Sequence, residues 1–464
     1  MSGPKIARLF DRLLGGIFLI AFLSLGSQIH LLIGKDGLEP LATFLPRLVA
    51  QGGTFLDFPS LFYFFPSDRA LTLGIAGGVI CALVIVIGPR GPWTRPALAF
   101  ATAIYLSFAV AGRTFFSFQW DNLLIECGAL AVLLPRDRRS RLMHFIFRAL
   151  LFKLYFESGL AKWQSSIRDW QDGSAMTYYY ETAPLPTWLA FYAHALPVWW
   201  HHLESWLTLV LELAVPFAIF GPRRARLTAL VLLTVFQLAD AATANYGFFC
   251  YLALVLHLFL LDDGDLGSEP APEKERIRIW EGAVAFLFVF VSLTEGMMTF
   301  AGGAPWSDAL LSARVRYLPF RAVNTYHLFA SITRQRIEPI FEETSDGKNW
   351  IELEMQHKAG AVDRRPDFVA PHQPRADFQL WFYGLSYRAR TPAYVESLVE
   401  HLCQAPAIVQ PLFRTSLSPR PRAVRIRFWQ YHFAPPHSGA WWTRTAVDSS
   451  GTLDCDKSLA PAEN

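Results

Sequence analysis

The chain has 464 residues, of which 52% are hydrophobic, so it is too apolar for an ordinary soluble protein and too long for one domain. Its formal net charge of +3 is small and no basic tract suggests nucleic acid, which argues against a nucleic-acid-binding protein. The 38 phenylalanines and 15 tryptophans suit surfaces that face lipid and the membrane boundary.

Nine apolar stretches, each near the ~20 residues that a helix needs to cross a bilayer, predict a polytopic α-helical membrane domain over residues 1–301. The first stretch follows Lys5, Arg8 and Arg12 and has no clear small-x-small cleavage site, so we expect a retained anchor. The stretches lie at 14–34, 70–89, 96–112, 115–134, 142–161, 203–220, 226–242, 246–261 and 280–300.

The distribution of arginines predicts the orientation of these helices. If the N-terminus is cytoplasmic, the arginine-rich loops 90–95, 136–141 and 223–226 all lie on the cytoplasmic side, as the positive-inside rule requires. The loops 35–69 and 162–202 and the C-terminal part then face outward. The Trp-, Tyr- and Pro-rich composition of 162–202 predicts a structured loop or an amphipathic helix at the membrane interface.

The C-terminal part has a different pattern. Residues 262–279 form a charged Pro/Gly linker, and beyond residue 320 RIEPIFEE and WIELEMQ around SDG predict a β-hairpin. VRIRFWQYHF predicts another alternating strand, and RRPDFVAPHQPRADFQLWF predicts an extended loop that leads into an amphipathic helix or strand. We therefore expect an extracytoplasmic β-rich domain at 302–450 and a disordered tail at 451–464.

Charged and amide side chains interrupt several of the apolar stretches. An ionised group at bilayer depth costs about 2.5–3.5 kcal/mol on insertion scales, so these groups are expected to pair in the bundle interior or to line a polar cavity. Structural ion pairs, a binding or coupling site and acid–base catalysis all remain open. The candidate polar membrane cluster contains Gln119, Asp121, Asn122, Glu126, Arg148, Lys153, Glu157, Glu204 and Glu212.

Helical spacing divides this cluster into stripes. Gln119, Asn122 and Glu126 share one face of a helix, and with Lys153 on the next helix they form the preferred candidate, because unlike charges on adjacent helices are the least costly arrangement. Lys153 and Glu157 are four residues apart and can form an intrahelical ion pair.

Two further patterns concern charged residues outside these two stripes. Arg148 and Lys162 lie nearer the helix ends and are expected to extend toward water. Glu204, Thr208 and Glu212 repeat every four residues on a third helix.

Common catalytic and metal-binding signatures are absent from the sequence, including GxSxG, HExxH, the Walker loop and the dinucleotide fingerprint. No catalytic residue, metal or cofactor is therefore assigned. The histidines His194, His201 and His202 favour interfacial solvation over a metal site. Cys403 and Cys455 pair only if their part of the chain faces an oxidising compartment.

Six segments together resemble the lipase maturation factor family, in the same order along the chain. They are FSFQWDNLLIECG (116–128), LLFKLYFESGLAKW (150–163), YYYETAPLP (178–186), ESWLTLVLELAVPF (204–217), NTYHLFASITRQR (324–336) and RRPDFVAPHQPRADFQLWF (364–382). In the outward loop, Tyr179 stands where the family has a histidine and Ala183 where it has a glutamine, so histidine chemistry is not expected there.

The resemblance implies a membrane-embedded maturation factor with a chaperone-like role toward secreted proteins such as lipases. Its partners would be the bilayer and the client. Its location would be the endoplasmic reticulum membrane by family, or the cytoplasmic (inner) membrane for the bacterial member that the short loops and Ala/Arg/Pro richness favour. The residues expected to meet the client are Tyr180, Glu181, Thr182, Pro184, His372, Gln373, Pro374 and Arg375.

The alternative is an integral membrane enzyme that acts on a lipid or a polypeptide at the membrane interface. In that case Lys153, Glu126 and Glu181 would supply the acid–base and oxyanion-stabilising groups. A scaffold and an enzyme differ in their response to Lys153→Met, which should abolish turnover in an enzyme without unfolding it.

Overall fold

A computed structural model describes residues 4–267, 278–303 and 306–458 of the protein. The middle of the predicted linker, 268–277, and the end of the predicted tail, 459–464, lie outside the described residues. The α-helices of the N-terminal two thirds are α1 Pro4–Gly26, α2 Ile29–Ile33, α3 Leu41–Ala50, α4 Asp68–Ile87, α5 Thr94–Ala111, α6 Gln119–Leu133, α7 Arg141–Trp163, α8 Ala175–Thr182, α9 Trp188–His194, α10 Val198–Leu213, α11 Arg223–Thr243, α12 Phe249–Leu256, α13 Ile279–Phe300 and α14 Ser307–Tyr317.

Local sequence explains where several of these helices begin. Ser67 precedes α4, and its hydroxyl accepts the backbone N–H of Ala70 at 3.3 Å. Ser140 precedes α7 and accepts the N–H of Met143 in the same way at 3.2 Å. Such N-caps satisfy one of the free amide groups at a helix start.

Each predicted apolar stretch coincides with a helix. Within the described residues, six helices are long and apolar enough to cross a membrane: α1, α4, α5, α10 with its 3₁₀ continuation to Phe220, α11 and α13. The protein is thus an α-helical membrane protein. The sequence predicts three more spans, at α6, α7 and α12; α6 and α12 are shorter, with 15 and 8 residues, and α7 is rich in charged groups.

The polar helices lie inside and the apolar helices lie outside. On α4, Leu73 is 71% exposed and Ile80 is 61% exposed, and on α13 Phe286 is 70% exposed, as expected for side chains that face lipid. On α6, by contrast, Asp121 and Glu126 have no solvent exposure. Because an unpaired charge in lipid is costly, the charged helices occupy the centre of the bundle.

Glycine permits the close packing of one polar pair of helices. An ideal Cβ at Gly159 of α7 would lie 2.7 Å from the Cβ of Glu212 on α10. Only a residue without a side chain fits there, so α7 and α10 come into direct contact.

The C-terminal module is an antiparallel sheet with helices packed on it. The strand order is β2-β1-β3-β4, and β5 pairs with β3. The predicted hairpin is confirmed, with Phe341 opposite Leu353, and so is the strand predicted at 424–433, which the structure begins one residue earlier. The elements are β1 Arg336–Thr344, β2 Ile351–Leu353, α15 Arg375–Leu385, α16 Ala393–Gln404, α17 Pro406–Val409, β3 Ala423–Phe433, β4 Trp442–Ser449, β5 Leu453–Asp454 and α18 Cys455–Ser458.

The segment predicted as a disordered tail begins with ordered structure. Leu453 and Asp454 form β5, which pairs with Val424 and Ala423 of β3. Cys455 is joined by a disulfide to Cys403 of α16. This covalent link and the strand pairing hold a segment whose polar composition alone indicated disorder.

Candidate functional site

The preferred polar cluster is completed by a segment from outside the membrane helices, residues 321–332, which we call the strap. The Oε2 atom of Glu126 accepts the hydroxyl of Tyr326 at 2.6 Å and the side-chain and backbone N–H groups of Asn324 at 3.0 and 3.2 Å. Lys153 Nζ donates to Glu126 Oε1 at 3.2 Å and to Ser292 Oγ at 3.1 Å. The carboxylate is therefore shared between a membrane lysine and the strap.

The other two members of the same stripe also bind the strap. Gln119 Oε1 accepts the backbone N–H of His327 at 2.9 Å. Asn122 Oδ1 accepts a guanidinium N–H of Arg321 at 3.1 Å, and the same group donates to the carbonyl of Phe116 at 3.0 Å. The i, i+3, i+7 stripe thus forms a continuous docking track.

The intrahelical pair that spacing allows between Lys153 and Glu157 does not form, and Lys153 pairs with Glu126 of the preferred candidate instead. Lys153 turns to Glu126 on the neighbouring helix, and Glu157 Oε2 instead accepts the backbone N–H of Tyr326 at 2.8 Å. The physical reason is that Glu157 gains a neutral N–H donor from the strap, while Lys153 already has an anionic partner in Glu126.

Lys162 does not extend to water as the sequence indicated. It is buried, with Nζ 2.8 Å from Glu212 Oε2, and it donates to the carbonyl of Leu328 in the strap at 2.9 Å. Arg148 is half-buried near the opposite end of α7, where it donates to the carbonyl of Phe259 at 2.8 Å. The two cations therefore stabilise different ends of the bundle.

A groove between α7 and α13 reaches the cluster from the lipid side. Its volume is about 540 Å³, and apart from Lys153, Glu157, Ser292 and Gln164 its lining is almost entirely apolar. The amine of Lys153 at its base is already bound to Glu126 and Ser292.

A second buried contact joins Asp121 of α6 to Arg375 at the start of α15. The guanidinium Nη1 and Nη2 atoms lie 2.9 and 2.8 Å from Oδ2 and Oδ1, which is the two-point geometry that makes arginine–carboxylate pairs strong. Tyr105 also donates to Asp121 Oδ1 at 2.5 Å. The guanidinium carbon lies 3.7 Å from the centre of the Phe116 ring.

The residues before Arg375 bind the end of α1. His372 Nδ1 lies 2.9 Å from Ser24 Oγ, and that oxygen accepts the backbone N–H of Gln373 at 3.0 Å. Gln28 Oε1 accepts the N–H of Arg375 at 2.9 Å. Burial, with smaller contributions from His357 and Arg375, lowers the pKa of His372 to about 4. We call the combined contacts of 372–375 with the bundle the docking seam.

The outward loop 178–186 is covered by the sheet module. Glu181 Oε2 accepts the backbone N–H of Phe433 at 2.8 Å, and His432 Nδ1 lies 2.8 Å from Oε1. Arg336 donates to the carbonyls of Glu181 at 3.1 Å and of Pro184 at 3.1 Å. The YETAPLP motif thus supplies acceptors to a strand about 150 positions later.

The residues expected to meet a client are consequently inside the protein. Tyr180 and Glu181 are 6% exposed, Thr182 is 1% exposed and Arg375 is 2% exposed, whereas the sequence predicted an exposed surface. Pro184, Gln373 and Pro374 are also buried, and His372 is half-buried. The reason is that aromatic and proline composition is the same for an interfacial loop and for a packed joint, and here the sheet covers the loop.

The third predicted stripe is divided between two contacts. Glu212 binds Lys162, whereas Glu204 Oε1 accepts the hydroxyl of Tyr180 at 3.0 Å and its Oε2 lies 3.2 Å from His201 Nδ1. His194 Nε2 lies 3.6 Å from Glu181, and burial lowers the pKa of His194. In the described part of the chain, no group of three or more His, Cys, Asp or Glu side chains is placed to hold a metal ion.

Sequence reasoning missed the binding partners in the C-terminal part. Arg336 and Glu338 of β1 are fully buried, and Glu338 lies 2.5 Å from both Arg336 and Lys358. Burial lowers the pKa of Lys358. The strap residues Asn324 and Tyr326 lie in NTYHLFASITRQR, one of the segments that carry the family resemblance, and that is the signal that would have found them.

Fold and site together define a class: a helical membrane protein whose interior polar groups bind a C-terminal sheet module. The family described as "Lipase maturation factor transmembrane domain" matches residues 6–268, and "Lipase maturation factor C-terminal domain" matches residues 322–451. The chain belongs to the lipase maturation factor family.

Curated relatives match nearly the whole chain. Lipase maturation factor 2 of Homo sapiens is 29% identical over 97% of this chain and 82% of its own length. Lipase maturation factor 2 of Gallus gallus is 29% identical over 94% and 79%, and lipase maturation factor 1 of Bos taurus is 29% identical over 93% and 86%. No solved structure matches the chain.

Proposed function

We propose that this chain is a membrane-embedded, chaperone-like maturation factor that assists the folding or assembly of a secreted protein of the lipase class. The observation that carries the proposal is the match of both family domains, in order, to the bundle and to the module. The predicted enzyme alternative has less support, because the strap and the neighbouring helix occupy the hydrogen-bonding groups of Glu126 and Lys153.

The proposal includes a topology. The nine helices predicted as spans cross the membrane, with the N-terminus in the cytoplasm and the module on the extracytoplasmic side. Two observations support it: the arginine-rich loops alternate as the positive-inside rule requires, and Cys403 is disulfide-bonded to Cys455, as suits an oxidising compartment. That compartment is the endoplasmic reticulum lumen or, in a bacterium, the periplasm.

The surface that the proposal assigns to the client is the free edge of β4. In the described sheet β4 is the last strand, and Thr445 to Ser449 are exposed. An unpaired strand edge presents N–H and C=O groups to an extended segment of another chain. Holding such a segment near the membrane lowers the aggregation of a partly folded client while it packs.

The test co-expresses a secreted lipase with this chain in cells that lack their own maturation factor, and measures lipase activity in the medium. Val447→Lys with Ala446→Lys places charge on the strand edge and is expected to lower secreted activity several-fold at unchanged chain level. Ser438→Lys, on the exposed turn between β3 and β4, is the control and is expected to have no effect. The role in lipase maturation is refuted if the wild-type chain does not raise secreted activity, and the β4 assignment is refuted if the edge variant retains full activity.

A further inference from the structure

The bundle has a large basic cavity at the end opposite the module. Its volume is about 670 Å³, and it is lined by arginines from α1, from the α4–α5 connection and the start of α5, from the α6–α7 connection and from the residue before α13. On α1, Arg8 lies about 24 Å along the helix axis from Ser24, which contacts the module. The lining arginines are Arg8, Arg90, Arg95, Arg136, Arg138 and Arg278.

Acidic groups balance only part of this charge. Arg136 is paired with Asp11, and Arg138 is paired with Glu281. The remaining four arginines, Arg8, Arg90, Arg95 and Arg278, form no ion pair with any residue that the structure describes. Asp137 is the one acidic residue in the described lining, so arginines outnumber acidic residues in that lining.

A neighbouring cavity of about 510 Å³ extends this positively charged surface. It shares Arg8 and Arg90 with the first cavity and adds Lys5 and Arg12. The positive-inside rule explains why arginines lie on this side of the membrane, but it does not require residues from separate segments to line one concave space. Convergence of basic side chains from separate segments on one concave space is typical of an anion-binding site.

Exposed apolar side chains surround the cavity, as suits a lipid ligand. Trp93 is 70% exposed beside Arg90 and Arg95, and Ile279 is 93% exposed beside Arg278. Ile87 at the end of α4 is 75% exposed. These side chains suit contact with acyl chains at the membrane boundary, directly next to the guanidinium groups.

We propose that this cavity binds the phosphate-bearing headgroup of an anionic phospholipid, with the acyl chains lying along the exposed apolar side chains of α4 and α13. Guanidinium groups match phosphate oxygens in two-point geometry and are less strongly hydrated than ammonium groups. Basic pockets between membrane helices are the usual binding sites for such headgroups. The ligand would anchor the connections between the helices in the leaflet farther from the module.

The experiment measures ligand binding to the purified full-length protein in a neutral detergent. Dioctanoyl phosphatidic acid is compared with dioctanoyl phosphatidylcholine, which has the same acyl chains and no net charge, and with inorganic pyrophosphate, which has no acyl chains. The wild type is expected to bind phosphatidic acid about tenfold more tightly than either of the other two, a difference of about 1.4 kcal/mol.

Arg90→Gln with Arg95→Gln removes two exposed cations that form no ion pair with a described residue, and is expected to weaken phosphatidic acid binding about tenfold or more. Arg390→Gln with Arg420→Gln makes the same charge change on the module and is expected to leave binding unchanged. Equal binding by the cavity variant and the wild type overturns the proposal. Pyrophosphate binding as tight as that of phosphatidic acid overturns the lipid assignment and indicates a soluble phosphate compound instead.

Discussion

Asp121 and Arg375 are 254 positions apart in the sequence, yet they form a two-point ion pair that is almost fully buried. At this scale the energetics are asymmetric. The intact pair contributes little net stability because both ions lose their hydration, whereas removal of one partner leaves a buried charge without compensation. The same asymmetry applies to Lys162 with Glu212, which are also both buried.

Arg375→Met is therefore expected to lower the free energy of unfolding by about 3–5 kcal/mol, measured by denaturant unfolding in detergent and by protease sensitivity of the module. Asp121→Asn combined with Arg375→Met is expected to recover part of this loss, because no uncompensated charge remains. As a control, Lys35→Met breaks an ion pair whose side chains are 73% and 60% exposed, and is expected to change stability by at most about 1 kcal/mol. Equal effects of Arg375→Met and Lys35→Met would contradict the docking seam as described.

The pH dependence of docking follows from His372. Its pKa is about 4 in the folded protein, against an unperturbed pKa of 6.5. Well above pH 6.5 the imidazole is neutral in both states and contributes no pH dependence. Between pH 6.5 and pH 4 the unfolded chain binds a proton that the folded chain excludes, so stability decreases as the pH falls.

We expect thermal unfolding measured across this range to show that decrease, and His372→Gln to make the curve flatter than that of the wild type. His437→Gln, on an exposed turn of the module, is the matched control and is expected to leave the curve unchanged. A wild-type curve that does not change between pH 6.5 and pH 4 would rule out this role for His372.

At the scale of elements, the module is fastened to the bundle twice, by the strap along α6 and α7 and by the docking seam at α1 and α6. The strap has no regular secondary structure in its middle, and its backbone groups are satisfied by Gln119, Glu157 and Lys162. Backbone N–H and C=O groups inside a helix bundle have no water to bind. In the strap, side chains of the bundle take the place of that water.

The final strand depends on a covalent link. Cys455 follows β5 directly, and its disulfide to Cys403 closes a loop of sequence separation 52. Cys455→Ser is expected to lower the stability of the module by about 2–4 kcal/mol and to release β5 from β3, measured by limited proteolysis. Cys81→Ser removes a free cysteine and serves as the control. Unchanged proteolysis of the Cys455 variant would show that pairing alone holds the strand.

Local patterns predicted the elements well and their partners poorly. The hairpin, the strand at 423–433 and the polar stripe of α6 follow from spacing that is visible within a dozen residues. Spacing offered Lys153 two carboxylates, Glu157 one turn away and Glu126 on the adjacent helix, and it could not exclude either one. The structure pairs Lys153 with Glu126, the preferred candidate. The strap was missed because its contacts lie about 200 positions away.

At the scale of the whole molecule, the bundle and the module are expected to fail as separate pieces. Residues 1–320 alone retain Asp121, Glu126 and Glu157 in the bundle interior without the partners that 321–458 supply. We expect this fragment to insert but to aggregate or be degraded, measured as monodisperse yield in detergent. Co-expression of the missing part as a separate chain is expected to restore some yield, and a stable, monodisperse fragment without it would contradict the shared-interior arrangement.

The separation between Glu126 and Tyr326 also has a consequence for biogenesis. The ribosome makes α6 some 200 codons before the strap, so this carboxylate is synthesised before its hydroxyl and amide donors exist. During that interval Glu126 lacks the donors that the strap later supplies, and a buried charge without its full set of partners is costly. A protein that assists the maturation of others would thus itself depend on protection during its own synthesis.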